Sequence, residues 1–230
     1  MAEIKYDEDV IGLYAAFSEF YNPNSVLYPF CGYDGSVSAG FGKDKVTHVD
    51  KDEGVVAAFK RSGLIIFGGD IGDYKTTGLH DLLILKNPGI GMEVEKTTEH
   101  LQKNGFILMN RDAMQLYIRD FKDSDEFDLW GSIDYILDEH GNRQAVVTEG
   151  TENFFESVES LEELRKISPA KHESFLQRMN GMSEQILQPR GIIPKSPEET
   201  YRHLIENGTF SPEEILPFKQ DPAMYVFTKV

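Results

Sequence analysis

Ser25-Val26-Leu27-Tyr28-Pro29-Phe30-Cys31-Gly32-Tyr33-Asp34-Gly35-Ser36 carries a short apolar run into a turn holding two glycines, and Lys45-Val46-Thr47-His48-Val49-Asp50 follows as a second apolar run closed by an acid. Asp50 stands 18 residues after Gly32 (50 − 32), near the spacing at which a strand-end carboxylate receives the hydroxyls of a nucleoside ribose. Glycine lets the backbone pass close to a ligand because no Cβ intervenes. The carboxylate then accepts hydrogen bonds from the vicinal diol. Strand, glycine turn, strand and acid in this order imply a nucleoside-cofactor binder on an α/β sheet.

The turn departs from the dinucleotide pattern. A pyrophosphate site needs Gly-x-Gly-x-x-Gly opening onto a helix N-terminus, where amides and dipole meet phosphate. Here the run is Phe30-Cys31-Gly32-Tyr33-Asp34-Gly35-Ser36, and Asp34 stands where a pyrophosphate would be repelled. A cofactor without phosphate, carrying an ammonium or sulfonium, tolerates that acid.

On these residues the chain resembles the class I, Rossmann-like S-adenosylmethionine-dependent methyltransferases. Val26 to Gly35 lies where that family has its glycine-rich motif, and Val49-Asp50 where it has its ribose-binding acid. Leu64-Ile65-Ile66-Phe67-Gly68-Gly69-Asp70-Ile71 resembles the third strand and the acidic position beside the adenine. His80-Asp81-Leu82-Leu83-Ile84-Leu85-Lys86-Asn87-Pro88-Gly89 resembles the fourth strand and the motif leading to the acceptor. Gly105-Phe106-Ile107-Leu108-Met109-Asn110 resembles the fifth.

The resemblance implies S-adenosylmethionine as cofactor, with Cys31, Gly32, Asp34, Gly35, Asp50, Asp70 and Ile71 contacting it and Asn87 orienting the acceptor. Asp34 and the turn would hold the methionine end, Asp50 the ribose and Asp70 the adenine amino group. Two departures stand out: Tyr28 replaces the motif's usual acid, and Phe30 its usual glycine. Asn87-Pro88-Gly89-Ile90 keeps only the first half of an amino-methyltransferase motif. Methyl transfer to a small-molecule or protein acceptor is the first reading. A methyltransferase-fold binding module without catalysis is the alternative. A nicotinamide-dependent oxidoreductase shares Asp50 but lacks the glycine spacing for pyrophosphate.

Each site residue has a plainer role beside it. Gly32 and Gly35 also suit a bare tight turn, Gly68-Gly69-Asp70 another, and Asn87 with Pro88 equally caps a following helix. Cys31 reads as a packing residue, since no basic partner stands near it in sequence. His48, on the second strand, reads as a structural or surface histidine. Tyr33 and Tyr74 are candidates for shaping the acceptor pocket.

A formal charge of −16 argues against a nucleic-acid substrate, which needs a concentrated basic patch. A single cysteine excludes an internal disulfide and a Cys-cluster zinc site, and the histidines show no close-spaced ligand pair. No stretch reaches the roughly 20 apolar residues of a membrane span, and the acidic N-terminus has no signal-peptide core. The expected location is cytoplasmic, without a membrane partner and with no metal.

Alternating strands and helices across 25–121 predict a doubly wound, mostly parallel sheet. Its helices are expected at Val10–Phe20 behind the acids Asp7-Glu8-Asp9, at Val37–Phe41, Glu53–Arg61 and Glu93–Lys103, and at 112–121 capped by Asp112. Phe127–Leu137 and Gln144–Thr148 read as a hairpin. Residues 150–222 read as helical, with Ser196-Pro197-Glu198-Glu199 and Ser211-Pro212-Glu213-Glu214 as helix starts. The expected organisation is a cofactor-binding core over 1–149, a helical insertion or appendage over 150–222, and a final strand over 223–230. Either that terminal strand or the hairpin supplies the sheet's antiparallel member, with the insertion favoured.

Overall fold

The computed structural model describes residues 2–76, 78–86, 88, 91–122, 124–140, 142–150, 160–216 and 222–230. Eight strands form one sheet in the order β3-β2-β1-β4-β5-β8-β6-β7. They are β1 (Val26–Pro29), β2 (Val46–Asp50), β3 (Ile66–Gly68), β4 (His80–Leu85), β5 (Leu101–Asn110), β6 (Phe127–Leu137), β7 (Arg143–Glu149) and β8 (Met224–Lys229). The pairs among β1 to β5 are parallel, and β8 pairs antiparallel with both β5 and β6. The terminal strand β8 is thus the reversed member of the sheet, lying between β5 and β6. The hairpin β6–β7 lies outside it, at the edge.

Every residue of β1 is buried, as are Leu82 to Leu85 of β4. An unbroken apolar run is what a central parallel strand needs, because both its faces are covered. The chain leaves β1 toward β2 and β3 on one side and reaches β4 on the other. The carboxyl ends of β1 and β4 therefore flank the switch point at which open α/β sheets bind ligands.

Local chemistry explains the helices. In α1 (Glu8–Tyr21), the Asp7 side chain accepts from the Val10 amide, acids fill the first turn, and Leu13, Tyr14 and Phe17 are buried. Asn22 ends it in the left-handed region. The helix α2 (Ser36–Phe41) starts directly at the glycine turn. In α3 (Glu53–Arg61), Asp52 accepts from the amides of Gly54 and Val55, while Val55, Ala58 and Phe59 turn inward. Burying the Phe59 ring contributes about 1.5–3 kcal/mol by area.

Two expectations are corrected. The helix foreseen over 93–103 is only α4 (Val94–Thr98), and β5 begins at Leu101, paired with His80. Asn104 takes φ +62 inside β5, so it marks an irregularity of the strand rather than a helix end. The next helix, α5 (Arg111–Lys122), is capped by Asn110, whose Oδ1 accepts from the Ala113 amide at 3.0 Å, not by Asp112.

The chain divides into two compact units: Met1–Met114 with Arg119–Thr151 and Pro222–Val230, and Gln115–Ile118 with Glu152–Asp221. The second has its own core, including Leu164, Phe175, Met179 and Leu204. It contains α6 (Leu161–Ile167), α7 (Pro169–Met182), α8 (Pro197–Glu206) and α9 (Pro212–Ile215). Ser196 caps α8 by accepting from the Glu199 amide, with proline in the first turn. No helix among the described residues is long and apolar enough to cross a membrane.

Candidate cofactor site

A cavity of about 1240 Å³ opens at the carboxyl ends of β3, β2, β1 and β4. The loop after each of these strands brings chemistry to it: Asp70 and Ile71 after β3, Asp50 closing β2, Cys31, Gly32 and Asp34 after β1, and Lys86 after β4. Six of the residues proposed from sequence to contact the cofactor thus share one lining. Gly35 stands apart from it. A Cβ there would lie 2.5 Å from Ile4 and 2.7 Å from the Tyr6 ring, so this glycine admits the N-terminal segment rather than a ligand. That segment is tied across the turn by Lys5 N to Tyr33 O at 2.7 Å and Gly35 N to Lys5 O at 2.9 Å.

Gly32 is different. It sits at φ +52, and a Cβ built on it meets nothing within 4 Å, which leaves the backbone open on the cavity side. Its amide donates to Asp50 Oδ2 at 2.8 Å, and the Asp52 amide donates to Oδ1 at 2.9 Å. A carboxylate offers about four acceptor positions. Two amides fix its orientation; on Oδ2 the Gly32 amide is joined by the Cys31 thiol at 4.0 Å, and the position left open is on Oδ1, where a ribose hydroxyl can donate.

Asp70 is exposed and caps a single 3-10 turn, Ile71–Asp73, by accepting from Gly72 N at 3.3 Å. Ile71 is buried beside it and supplies an apolar surface. The Cys31 thiol is buried, with burial and then the Asp50 charge pushing its pKa upward, so it packs as a neutral group.

The Tyr28–Asp34–Lys86 cluster was not legible in sequence. Asp34 Oδ2 accepts from Lys86 Nζ at 2.7 Å and from Tyr28 Oη at 3.0 Å, and Oδ1 accepts from Ser36 N at 2.9 Å. Burial alone would raise the Asp34 pKa, but Lys86 and the hydrogen bonds from Ser36 outweigh it and hold the carboxyl below the ordinary range. The signal for Lys86 was available: a charged residue directly after the apolar run Leu82 to Leu85. Its partner was not, because 52 residues separate the two.

Phe30 occupies the motif's glycine position at φ +56 and lines the cavity. A non-glycine residue in the left-handed region is strained by about 1–2 kcal/mol. Tyr74 is not in the lining. It bonds His80 Nε2 at 3.1 Å and packs edge-on against His100. His48 is fully buried between Ser38 and the Ile65 carbonyl, a structural histidine. Asn87 lies outside the described residues, between Lys86 and Pro88, which both line the cavity.

No family model matches the chain, and no curated protein matches it. Solved structures to which it is similar include the N-methyltransferase NodS from Bradyrhizobium japonicum WM9, at 16% identity over 46% of this chain and 69% of that one, with a TM-score of 0.36. DesVI from Streptomyces venezuelae is similar at 18% identity over 63% of this chain and 66% of that one, TM-score 0.38. TehB from Haemophilus influenzae is similar at 18% identity over 61% and 59%, TM-score 0.37. The match thus spans less than two thirds of the DesVI and TehB chains. At these scores no residue's role is carried over from them.

Proposed function

We propose that this chain binds S-adenosylmethionine and transfers its methyl group to a small-molecule or protein acceptor. The observation that carries the reading is the Gly32–Asp50 unit at the switch point of the sheet. There, a carboxylate fixed by two backbone amides keeps an acceptor position on Oδ1 in the lining of a cavity of nucleoside-plus-acceptor size. Asp50 takes the ribose diol, Ile71 lies against the adenine, and Asp70 accepts from its amino group. Gly32 lets the backbone approach the sulfur end of the ligand. The donor set suits a ligand without phosphate there, since Asp34 and Asp50 both flank the turn.

The cofactor supplies an electrophilic methyl group when bound. The chain's contribution is then alignment and exclusion of water, which needs little acid–base machinery. Asn87, beside the lining residues Lys86 and Pro88, is our candidate for orienting the acceptor.

One observation favours the second reading, a binding module without transfer. Phe30, strained in the left-handed region, fills the position where the resembling family has glycine. Titration calorimetry with S-adenosylmethionine and S-adenosylhomocysteine, with NAD as control, tests the first reading. Binding is expected, and Asp50→Ala should weaken it about thirtyfold, the loss of one charge-assisted hydrogen bond of about 2 kcal/mol. Asp50→Asn keeps one acceptor oxygen and serves as the folded comparison by circular dichroism. Heat with neither sulfur compound overturns the cofactor reading. Binding without turnover across an acceptor screen favours the module.

A further inference from the structure

The tail end of the cavity carries a charge arrangement that the sequence did not foretell. Asp34 is the acid nearest the glycine turn, and its carboxylate already accepts from Lys86, Tyr28 and Ser36. Three of about four acceptor positions are therefore taken, one of them by a full positive charge. A ligand ammonium placed there would face the Lys86 ammonium across the same carboxylate, and like charges at that range repel.

Lys86 is in the opposite condition. Its side chain keeps only 18% of its exposure, so its ammonium has lost much of its hydration. It has three N–H donors, and among the described residues one of them meets an acceptor, Asp34 Oδ2. The remaining donors belong to a residue of the cavity lining. A half-desolvated ammonium with open donors is satisfied most strongly by an anion, through short charge-assisted hydrogen bonds. The lining holds further acids, Asp7, Glu8, Asp50, Asp70 and Glu93. Asp7 is engaged as the cap of α1, and Glu8 is exposed, where water screens it.

We propose that the site holds its nucleoside ligand's tail by the carboxylate, through Lys86, and that Asp34 serves as the partly buried counter-charge that positions Lys86 rather than as the anchor of the ligand's amino group. The assignment rests on the cofactor reading above. It makes Lys86 the residue that selects adenosyl thioethers and sulfoniums bearing a carboxylate tail. The amino group becomes a minor determinant. Tyr28, standing where the resembling family has an acid, fits this arrangement: a neutral hydroxyl donates to Asp34 at 3.0 Å, where a second carboxylate would repel it.

The test is a ranking of three probes on the wild-type chain by calorimetry: S-adenosylhomocysteine, its decarboxylated analogue, which keeps the amine, and its deaminated analogue, which keeps the carboxylate. The expected result is that the deaminated probe binds within about fivefold of S-adenosylhomocysteine while the decarboxylated one is weakened about tenfold or more. Lys86→Arg should preserve the ranking. Lys86→Met should abolish it, and the double variant Asp34→Asn with Lys86→Met removes the partly buried, unpaired carboxylate should the single variant fail to fold. Equal or tighter binding of the decarboxylated probe overturns the tail assignment and leaves the cofactor reading standing. So does a tenfold loss confined to the deaminated probe. Absence of binding by all three overturns the cofactor reading, and this assignment with it.

Discussion

At the amino end of the β1–β4 pair, Asp81 receives the Asn24 and Ser25 amides at 2.6 and 3.3 Å, and His80 links Ser25 Oγ at 2.7 Å to Tyr74 Oη at 3.1 Å. At the carboxyl end of the same two strands, Asp34 and Lys86 form their ion pair on the wall of a cavity. Both ends staple β1 to β4 across more than 50 residues of sequence. They differ in what is left over. The amino-end groups turn to backbone amides and to a neutral imidazole that gives through one nitrogen and accepts at the other. The carboxyl-end groups keep open positions on Asp50 Oδ1 and on Lys86, and a strained Phe30 shares their cavity lining. The Asp81, His80 and Ser25 groups of the amino end are paired, with His100 Nε2 beside Tyr74 the exception, whereas the carboxyl end presents its open positions to a cavity.

Acid should act on the buried histidines before the carboxylates, and this is the largest effect expected. Burial lowers the His48 pKa from 6.5 to about 4, and burial together with the nearby His100 lowers that of His80. The unfolded imidazoles take a proton at about pH 6.5 and the folded ones resist it, so stability is complete above that pH and falls as pH drops toward 4. For His48 the loss is about 3 kcal/mol. Asp34 has the lowered carboxylate pKa, so its contribution is complete above the ordinary carboxylate pKa and is lost as pH falls from there through its own lowered value. Urea unfolding at a series of pH values, followed through the single tryptophan, Trp130 of β6, measures this. His48→Gln should flatten the slope between pH 6.5 and 4. A flat wild-type profile there, with collapse only below pH 4, would make the carboxyl end the acid-sensitive one.

Asp81→Ala sharpens the contrast at a smaller magnitude. It removes a charged acceptor from two backbone amides and should cost about 2 kcal/mol of stability. The affinity for S-adenosylhomocysteine should change less than about twofold, because Asp81 lies at the far end of the strand. A large loss of affinity with unchanged stability would mean that the two ends are coupled through β4.

The sheet was legible because its signals are local. Apolar runs, the acids Asp7-Glu8-Asp9 before α1, and the glycine after β1 each sit within a few residues of the feature that they specify. The 101–110 strand was half read, since Glu93 to Lys103 offers helix-forming residues and only the pairing of Leu101 with His80 fixes them as strand. The same divide runs through the site. Asp50 and Gly32 announce themselves by spacing. Lys86 does not, since its meaning depends on which acid it meets, and Gly35 looked like a ligand contact until the N-terminal segment was seen to lie on it. Pairings made by tertiary structure leave no period in the chain.

Tyr14→Phe probes the comparison at its finest. Tyr14 is fully buried against Phe41, close enough to Asp34 for that charge to help raise its pKa after burial itself. Its hydroxyl has no hydrogen-bond partner among the described residues. A buried hydroxyl without a partner is unfavourable, and the phenyl ring keeps the packing, so the substitution should raise stability by about 1 kcal/mol or less. Ligand affinity should be untouched, since Tyr14 is outside the cavity lining. A stability loss above that size would show that the hydroxyl is satisfied by a buried water shared with Asp34 or Tyr28. The carboxyl end would then be more completely hydrogen-bonded than its open valences imply, and the contrast with the amino end would rest on Asp50 and Lys86 alone.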